Sequence, residues 1–107
     1  LSKLARDPGW EMYADVPRDI RAGETTVIRF FLTDKAGQPV RAEAVDFFAY
    51  RPSDAARDFS LPMTEEGKGR YKVELAFPLV GIWDSLVAVR HGEDEYNLGR
   101  RLTVQRP

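Results

Sequence analysis

The chain has 107 residues, room for one domain with its own core and too few for two sandwiches side by side. Apolar residues at 43% and charged residues at 31% point to a packed interior and exclude a disordered or purely membrane-spanning chain. With 16 Lys and Arg against 17 Asp and Glu the net charge is −1, which gives a polyphosphate partner little to hold, so nucleic acid is not an expected ligand.

Ser2 to Asp7 reads as the last turn of a helix that begins upstream, stopped by Asp7-Pro8-Gly9. Residues 1–9 are taken as this terminal segment and 10–107 as the domain. From Trp10 onward, turn signals recur about every eight to twelve residues, the spacing of an all-β sandwich or barrel. Met12 to Val16 is a short first strand ended by Pro17, followed by a polar turn over Arg18 to Gly23. Thr25 to Asp34 is dense in β-branched and aromatic residues. Ile28, Phe30 and Leu32 share one of its faces, while Val27, Arg29, Phe31 and Thr33 share the other. Lys35 to Pro39 turns the chain back into Val40 to Tyr50, where Val45, Phe47 and Ala49 alternate with Asp46, Phe48 and Tyr50.

Pro52 pushes Arg51 out of the helical region, and the polar stretch to Asp58 is a connecting loop. Phe59 to Met63 is a short strand that Pro62 confines to an edge. After a turn at Gly67 and Gly69, Tyr71, Val73, Leu75 and Phe77 alternate with Lys72, Glu74 and Ala76, a half-buried strand that ends at Pro78. Trp83 to His91 is apolar in both phases and is expected to be central. Gly92-Glu93-Asp94 then turns the chain tightly into Tyr96 to Val104. About seven strands without an internal repeat predict an all-β, immunoglobulin-like antiparallel β-sandwich with a short N-terminal helical remnant.

The absence of cysteine excludes disulfides, thiolate metal sites and a cysteine nucleophile. His91 is the sole histidine; no local pattern supports a Ser-His-Asp triad, and its place at a hairpin end predicts an exposed side chain. A copper(I) site would need Met12, Met63 and His91 to converge from three distant segments, so packing is the expected role of the methionines. Glu65-Glu66 and Glu93-Asp94-Glu95 lie on turns without the spacing of a calcium loop. Arg100-Arg101 lies in a strand, where one of the pair must point outward in any case. Gly67 and Gly69 sit between strands rather than opening a helix, so they form no phosphate loop. No catalytic residue, cofactor ligand or metal ligand is assigned, and an enzyme is not expected. The outward phases, in contrast, carry Phe31, Phe48, Tyr50 and Leu86. An outer apolar cluster marks a partner surface unless loops or the N-terminal segment cover it.

Gly9-Trp10, the run Leu32-Thr33-Asp34-Lys35-Ala36-Gly37-Gln38-Pro39-Val40, Arg51-Pro52-Ser53-Asp54-Ala55, Gly69-Arg70-Tyr71, Gly81-Ile82-Trp83-Asp84 and Gly92-Glu93-Asp94-Glu95-Tyr96 together resemble the FixH family over nearly the whole chain. The Arg-Pro-Ser-Asp-Ala element is the most specific part; Gly-Arg-Tyr and Gly-x-Trp-Asp are shared with other bacterial immunoglobulin-like domains, including the YtkA-like group. The resemblance implies a periplasmic domain behind a single N-terminal transmembrane helix, which fits a chain starting at Leu1. It also implies a nitrogen-fixation-associated gene cluster that matures the cbb3-type cytochrome oxidase and encodes a copper-transporting ATPase and an iron-sulfur redox protein. The expected role is assembly through contacts with membrane proteins of that machinery, or with the oxidase, near copper delivery. A copper-carrying module of the YtkA-like type is the alternative.

Overall fold

Alternation of apolar and polar side chains builds two sheets that share one interior. The computed structural model describes residues 9–107, so the helical remnant expected over Ser2 to Asp7 lies outside the described residues. One sheet holds β1 (Glu11–Asp15), β3 (Thr26–Thr33), β6 (Thr64–Gly67) and β7 (Arg70–Leu75), ordered β1-β3-β7-β6. The other holds β2 (Ile20–Arg21), β4 (Ala44–Tyr50), β5 (Phe59–Pro62), β8 (Gly81–His91) and β9 (Asp94–Gln105), ordered β2-β9-β8-β4-β5. This is the two-layer antiparallel arrangement of an immunoglobulin-like sandwich, with its hairpin neighbours in one sheet and its crossovers between the two.

Ile28, Phe30 and Leu32 of β3 and Tyr71, Val73 and Leu75 of β7 pack across the interior against Val45 and Phe47 of β4 and Trp83, Val87 and Val89 of β8. Trp83, Phe30, Phe47 and Phe77 are the largest fully buried side chains. Each contributes about 1.5–3 kcal/mol by leaving water, which is why the alternating segments are strands in this sequence at all. β8 is central, paired with β4 on one side and β9 on the other. Its two apolar phases follow from that position, and even outward-facing Ala88 is buried.

The structure adds two strands to the expected seven. Ile20–Arg21 runs parallel to Val104 and Gln105 at the end of β9, inside what reads in sequence as a polar turn. Thr64–Gly67 pairs with the start of β7 through a two-residue hairpin whose central residues, Lys68 and Gly69, have φ of 56° and 72°. Positive φ at both central positions matches the right-handed twist of the flanking strands. Gly69 also lies against the Leu32 carbonyl so closely that a β-carbon would collide with it. Conversely, Val40 to Glu43 is not part of β4. The buried Tyr71 hydroxyl holds this stretch as a loop, accepting from the Ala42 amide at 3.0 Å and donating to the Val40 carbonyl at 3.5 Å.

Candidate functional site: the outer face of the five-stranded sheet

Register across β4, β8 and β9 sets side chains in rows on the solvent side. Phe48 stands opposite Leu86, and Leu86 opposite Gly99. The row beside it runs Tyr50, Asp84, Arg101, and the row on the other side Asp46, Ala88, Asn97. The Phe48 and Tyr50 rings stack at 6.0 Å and 3° between planes, forming a ridge along β4. Ile82 is 46% exposed and Tyr50 40%. Gly99 leaves a dent beyond Leu86, because a β-carbon there would meet only the Leu86 side chain and the Ser85 carbonyl at 3.7 Å. The lane is apolar in its middle and bordered by a forked ion pair, with Arg101 Nε and Nη2 donating to Asp84 at 2.8 and 3.1 Å. Those hydrogen bonds hold the Asp84 carboxyl below its ordinary value and push the Arg101 guanidinium up. The arrangement offers a shaped apolar surface with a charged border.

Phe31 does not belong to this lane. Its outward phase is as alternation predicts, but β3 lies in the other sheet, where Phe31 stands between Tyr13 of β1 and Arg70 of β7. Its ring lies 5.9 Å from that of Tyr13, which is 62% exposed and which sequence reasoning missed. The candidate set therefore divides: Phe48, Tyr50 and Leu86 share one face, and Phe31 sits on the opposite face with Tyr13.

The end of the lane is braced by Arg51. Its guanidinium lies 5.2 Å from the Trp83 ring centroid, and its Nη2 donates to the Val80 carbonyl at 2.6 Å. Its Nη1 is buried beside Gly81 and has no hydrogen-bond partner among the described residues. Asp58 accepts from the Arg51 amide at 2.6 Å, and Asp54 caps the short 3-10 turn Ala55–Arg57 by accepting from the Ala56 amide at 3.2 Å. Pro52 starts this knuckle and Asp54 organises it. The Arg51-Pro52-Ser53-Asp54-Ala55 and Gly81-Ile82-Trp83-Asp84 elements are thus one structural unit joined by a cation-π contact, and they fix where Tyr50 and Ile82 emerge.

Residues 2–103, nearly the entire chain, match the FixH family. The chain belongs to the FixH family. Membership carries the family-level association with oxidase assembly and nitrogen fixation. A comparison with curated proteins gives no match. Among solved structures, the Lin-41 filamin domain is similar at a TM-score of 0.63 and 16% identity, over 92% of this chain and 94% of that one. A superoxide reductase (neelaredoxin) from Ignicoccus hospitalis is similar at a TM-score of 0.64 and 11% identity, over 95% of this chain and 86% of that one. Escherichia coli alpha-2-macroglobulin is similar at a TM-score of 0.64 and 18% identity, over 92% of this chain but 6% of that one. At these identities the likeness is one of fold alone.

In this FixH-family domain the weak metal candidates do not converge. Met12 lies on β1 and Met63 at the crossover from β5 to β6, where its amide donates to the Val45 carbonyl at 2.8 Å. β1 and β6 are the two outermost strands of their sheet, three strand spacings apart, which is about 14 Å. Met63 is buried in the core, and Met12 is half-buried against that core. His91 is exposed as expected, but its ring also packs edge-on against Trp10 at 5.1 Å, and Trp10 packs against Tyr96 at 5.1 Å. His91 thereby helps seat the residue that opens the domain. The paired acids serve the surface: Glu66 bridges Arg29 at 3.4 Å and Lys72 at 3.7 Å, while Glu65 meets Arg41 at 3.3 Å. Among the described residues, no three His, Cys, Asp or Glu side chains gather to hold an ion.

Proposed function

We propose that this FixH-family chain is the non-catalytic periplasmic domain of a membrane-tethered assembly factor for the cbb3-type cytochrome oxidase. It acts by contacts with membrane proteins of the assembly machinery, or with the oxidase itself, near the step of copper delivery. The observation that carries the reading is the apolar lane of Phe48 and Leu86, flanked by Tyr50 and Ile82, on the solvent side of a sheet whose core lies on its other side. A contiguous outward apolar lane rimmed by charge is the usual form of a docking surface. The copper-carrying alternative gains nothing from the geometry, since Met12 and Met63 stand at opposite edges.

The reading is tested by Phe48→Ser with Leu86→Ser in the full-length protein. Oxidase maturation, followed by its haem spectrum and oxygen consumption, is expected to fall while the thermal melt of the purified domain keeps its cooperative transition. Normal maturation in that variant would remove the face from consideration. Titration of the domain with copper(I) under reducing conditions is expected to show no tight stoichiometric binding, and tight binding would restore the carrier alternative.

A further inference from the structure

The strand β1 ends its sheet, and its geometry reveals which of its backbone groups face outward. Met12 stands opposite Leu32, whose own N–H donates to the Gly69 carbonyl and whose C=O accepts from the Val40 amide, both on the far side of β3. Met12 and Leu32 are therefore a non-hydrogen-bonded pair of the antiparallel ladder. It follows that the N–H and C=O of Met12 and Ala14 point away from β3 along the free edge, while Glu11, Tyr13 and Asp15 bond inward to the sheet. Arg100 of β9 reaches across and donates to the Ala14 carbonyl at 3.4 Å. Among the described residues no strand pairs with that edge. Beside it a groove of about 200 Å³ opens between the two sheets, lined by Met12, Ala14, Leu98 and Arg100.

We propose that the free edge of β1 is a strand-addition site for an extended segment of a partner protein, with apolar side chains alternating with basic ones. A strand laid on this edge completes the outward hydrogen bonds of Met12 and Ala14 and displaces the long contact from Arg100. Its side chains opposite Met12 and Ala14 enter the groove, whose floor is apolar and whose volume suits one or two aliphatic groups. Its side chains opposite Glu11, Tyr13 and Asp15 stand on the outer face, where Glu11 and Asp15 are exposed acids on either side of an exposed tyrosine. Basic residues at the two ends of the added segment are thus favoured by cross-strand pairing. Arg29, opposite Asp15 on β3, is engaged by Glu66 and leaves the Asp15 carboxylate without a salt bridge to it. A second copy of this chain is the wrong occupant: antiparallel self-pairing centred on Tyr13 sets Glu11 against Asp15 at both ends, and like charges directly opposite are destabilising.

The probe is a fluorescein-labelled peptide with the core Lys-Leu-Tyr-Val-Lys, compared with its Glu-Leu-Tyr-Val-Glu counterpart. The chain is expected to bind the basic peptide about tenfold more tightly than the acidic one, with amide shifts centred on Met12 and Ala14. Glu11→Lys with Asp15→Lys should invert that preference. Ala14→Pro, which removes an outward N–H without breaking the ladder to β3, should abolish binding of both peptides. The proposal is overturned if the native chain binds neither peptide at millimolar concentration, if the charge swap leaves the preference unchanged, or if the shifts map to Phe48 and Leu86. Should Ala14→Pro fail to fold, the surface charge swap still decides the question.

Discussion

The two outer faces of this sandwich enclose the same core and differ in almost everything else. On the four-stranded side Glu66 bridges Arg29 and Lys72 across neighbouring strands, and the aromatic pair Tyr13 and Phe31 lies toward the β1 edge. On the five-stranded side the central rows are Phe48 with Leu86 and Tyr50 with Asp84, and the ion pair of Asp84 with Arg101 stands at the border of the lane. A charged lattice keeps the face of a sheet solvated, whereas an apolar lane with a dent at Gly99 offers a complementary surface to a partner. Inner residues therefore specify the fold, while the outer residues of one sheet carry the functional reading.

The largest effect lies between the faces rather than on either. Trp83→Ala should cost about 3–5 kcal/mol in denaturant unfolding, because it empties the centre of the core and removes the ring under Arg51. A loss under about 1 kcal/mol would mean that the two sheets do not depend on this side chain as their packing suggests. Next comes a pair of glycines, one for each sheet. Gly69→Ala in the hairpin of the four-stranded sheet should cost about 1–3 kcal/mol, since both its positive φ and the Leu32 carbonyl oppose a β-carbon. Gly99→Ala on the five-stranded sheet should change stability by no more than about 0.5 kcal/mol, while filling the dent beside Leu86. Equal costs for the two would erase the distinction between a glycine required by backbone geometry and one that merely shapes a surface.

Smaller changes in stability are expected when the faces themselves are the targets. Phe31→Ser should leave oxidase maturation intact, whereas Phe48→Ser with Leu86→Ser should impair it, each variant costing at most about 1.5 kcal/mol in stability. Impairment from both variants would show that the outward aromatics act on either side. The last effect is electrostatic and slight. Because hydrogen bonds from Arg101 lower the Asp84 pKa, the stabilisation this pair adds is present above the ordinary carboxyl value of 3.8 and is lost as the pH falls through the lower folded value. A carboxyl NMR titration should place the Asp84 midpoint below 3.8, and Arg101→Ala should return it toward that value. An unshifted midpoint in the native chain would mean that the forked pair does not persist in solution.

Much of the fold is legible in the chain. The alternation of Tyr71, Val73 and Leu75, the doubly apolar run ending at His91, and the edge position enforced by Pro62 all correspond to β7, β8 and β5. Two strands are not legible, for different reasons. Ile20–Arg21 is too short to show a period, and it is a strand only because the end of β9 lies beside it. Thr64–Gly67 has no apolar alternation, and its pairing is imposed by the hairpin at Lys68 and Gly69. At the candidate site, alternation identifies Phe31, Phe48, Tyr50 and Leu86 as outward but carries no information on which sheet a strand joins. Arg51 reads locally as a loop boundary, since nothing near it in the chain says that its guanidinium lies on the distant ring of Trp83.

Inside and outside follow from the order of amino acids alone. Period-two alternation sends each side chain to one side of a strand or the other, and the absence of cysteine together with a single histidine limits the chemistry whatever the fold. Neighbourhood across strands needed three dimensions: Phe48 meets Leu86 while Phe31 meets Tyr13, Met12 and Met63 occupy opposite edges, and Arg51 braces Trp83. Alternation is a local property of the backbone. Strand order and register are instead set by contacts between residues far apart in the chain, through the joint burial of both sheets around Trp83 and Phe30.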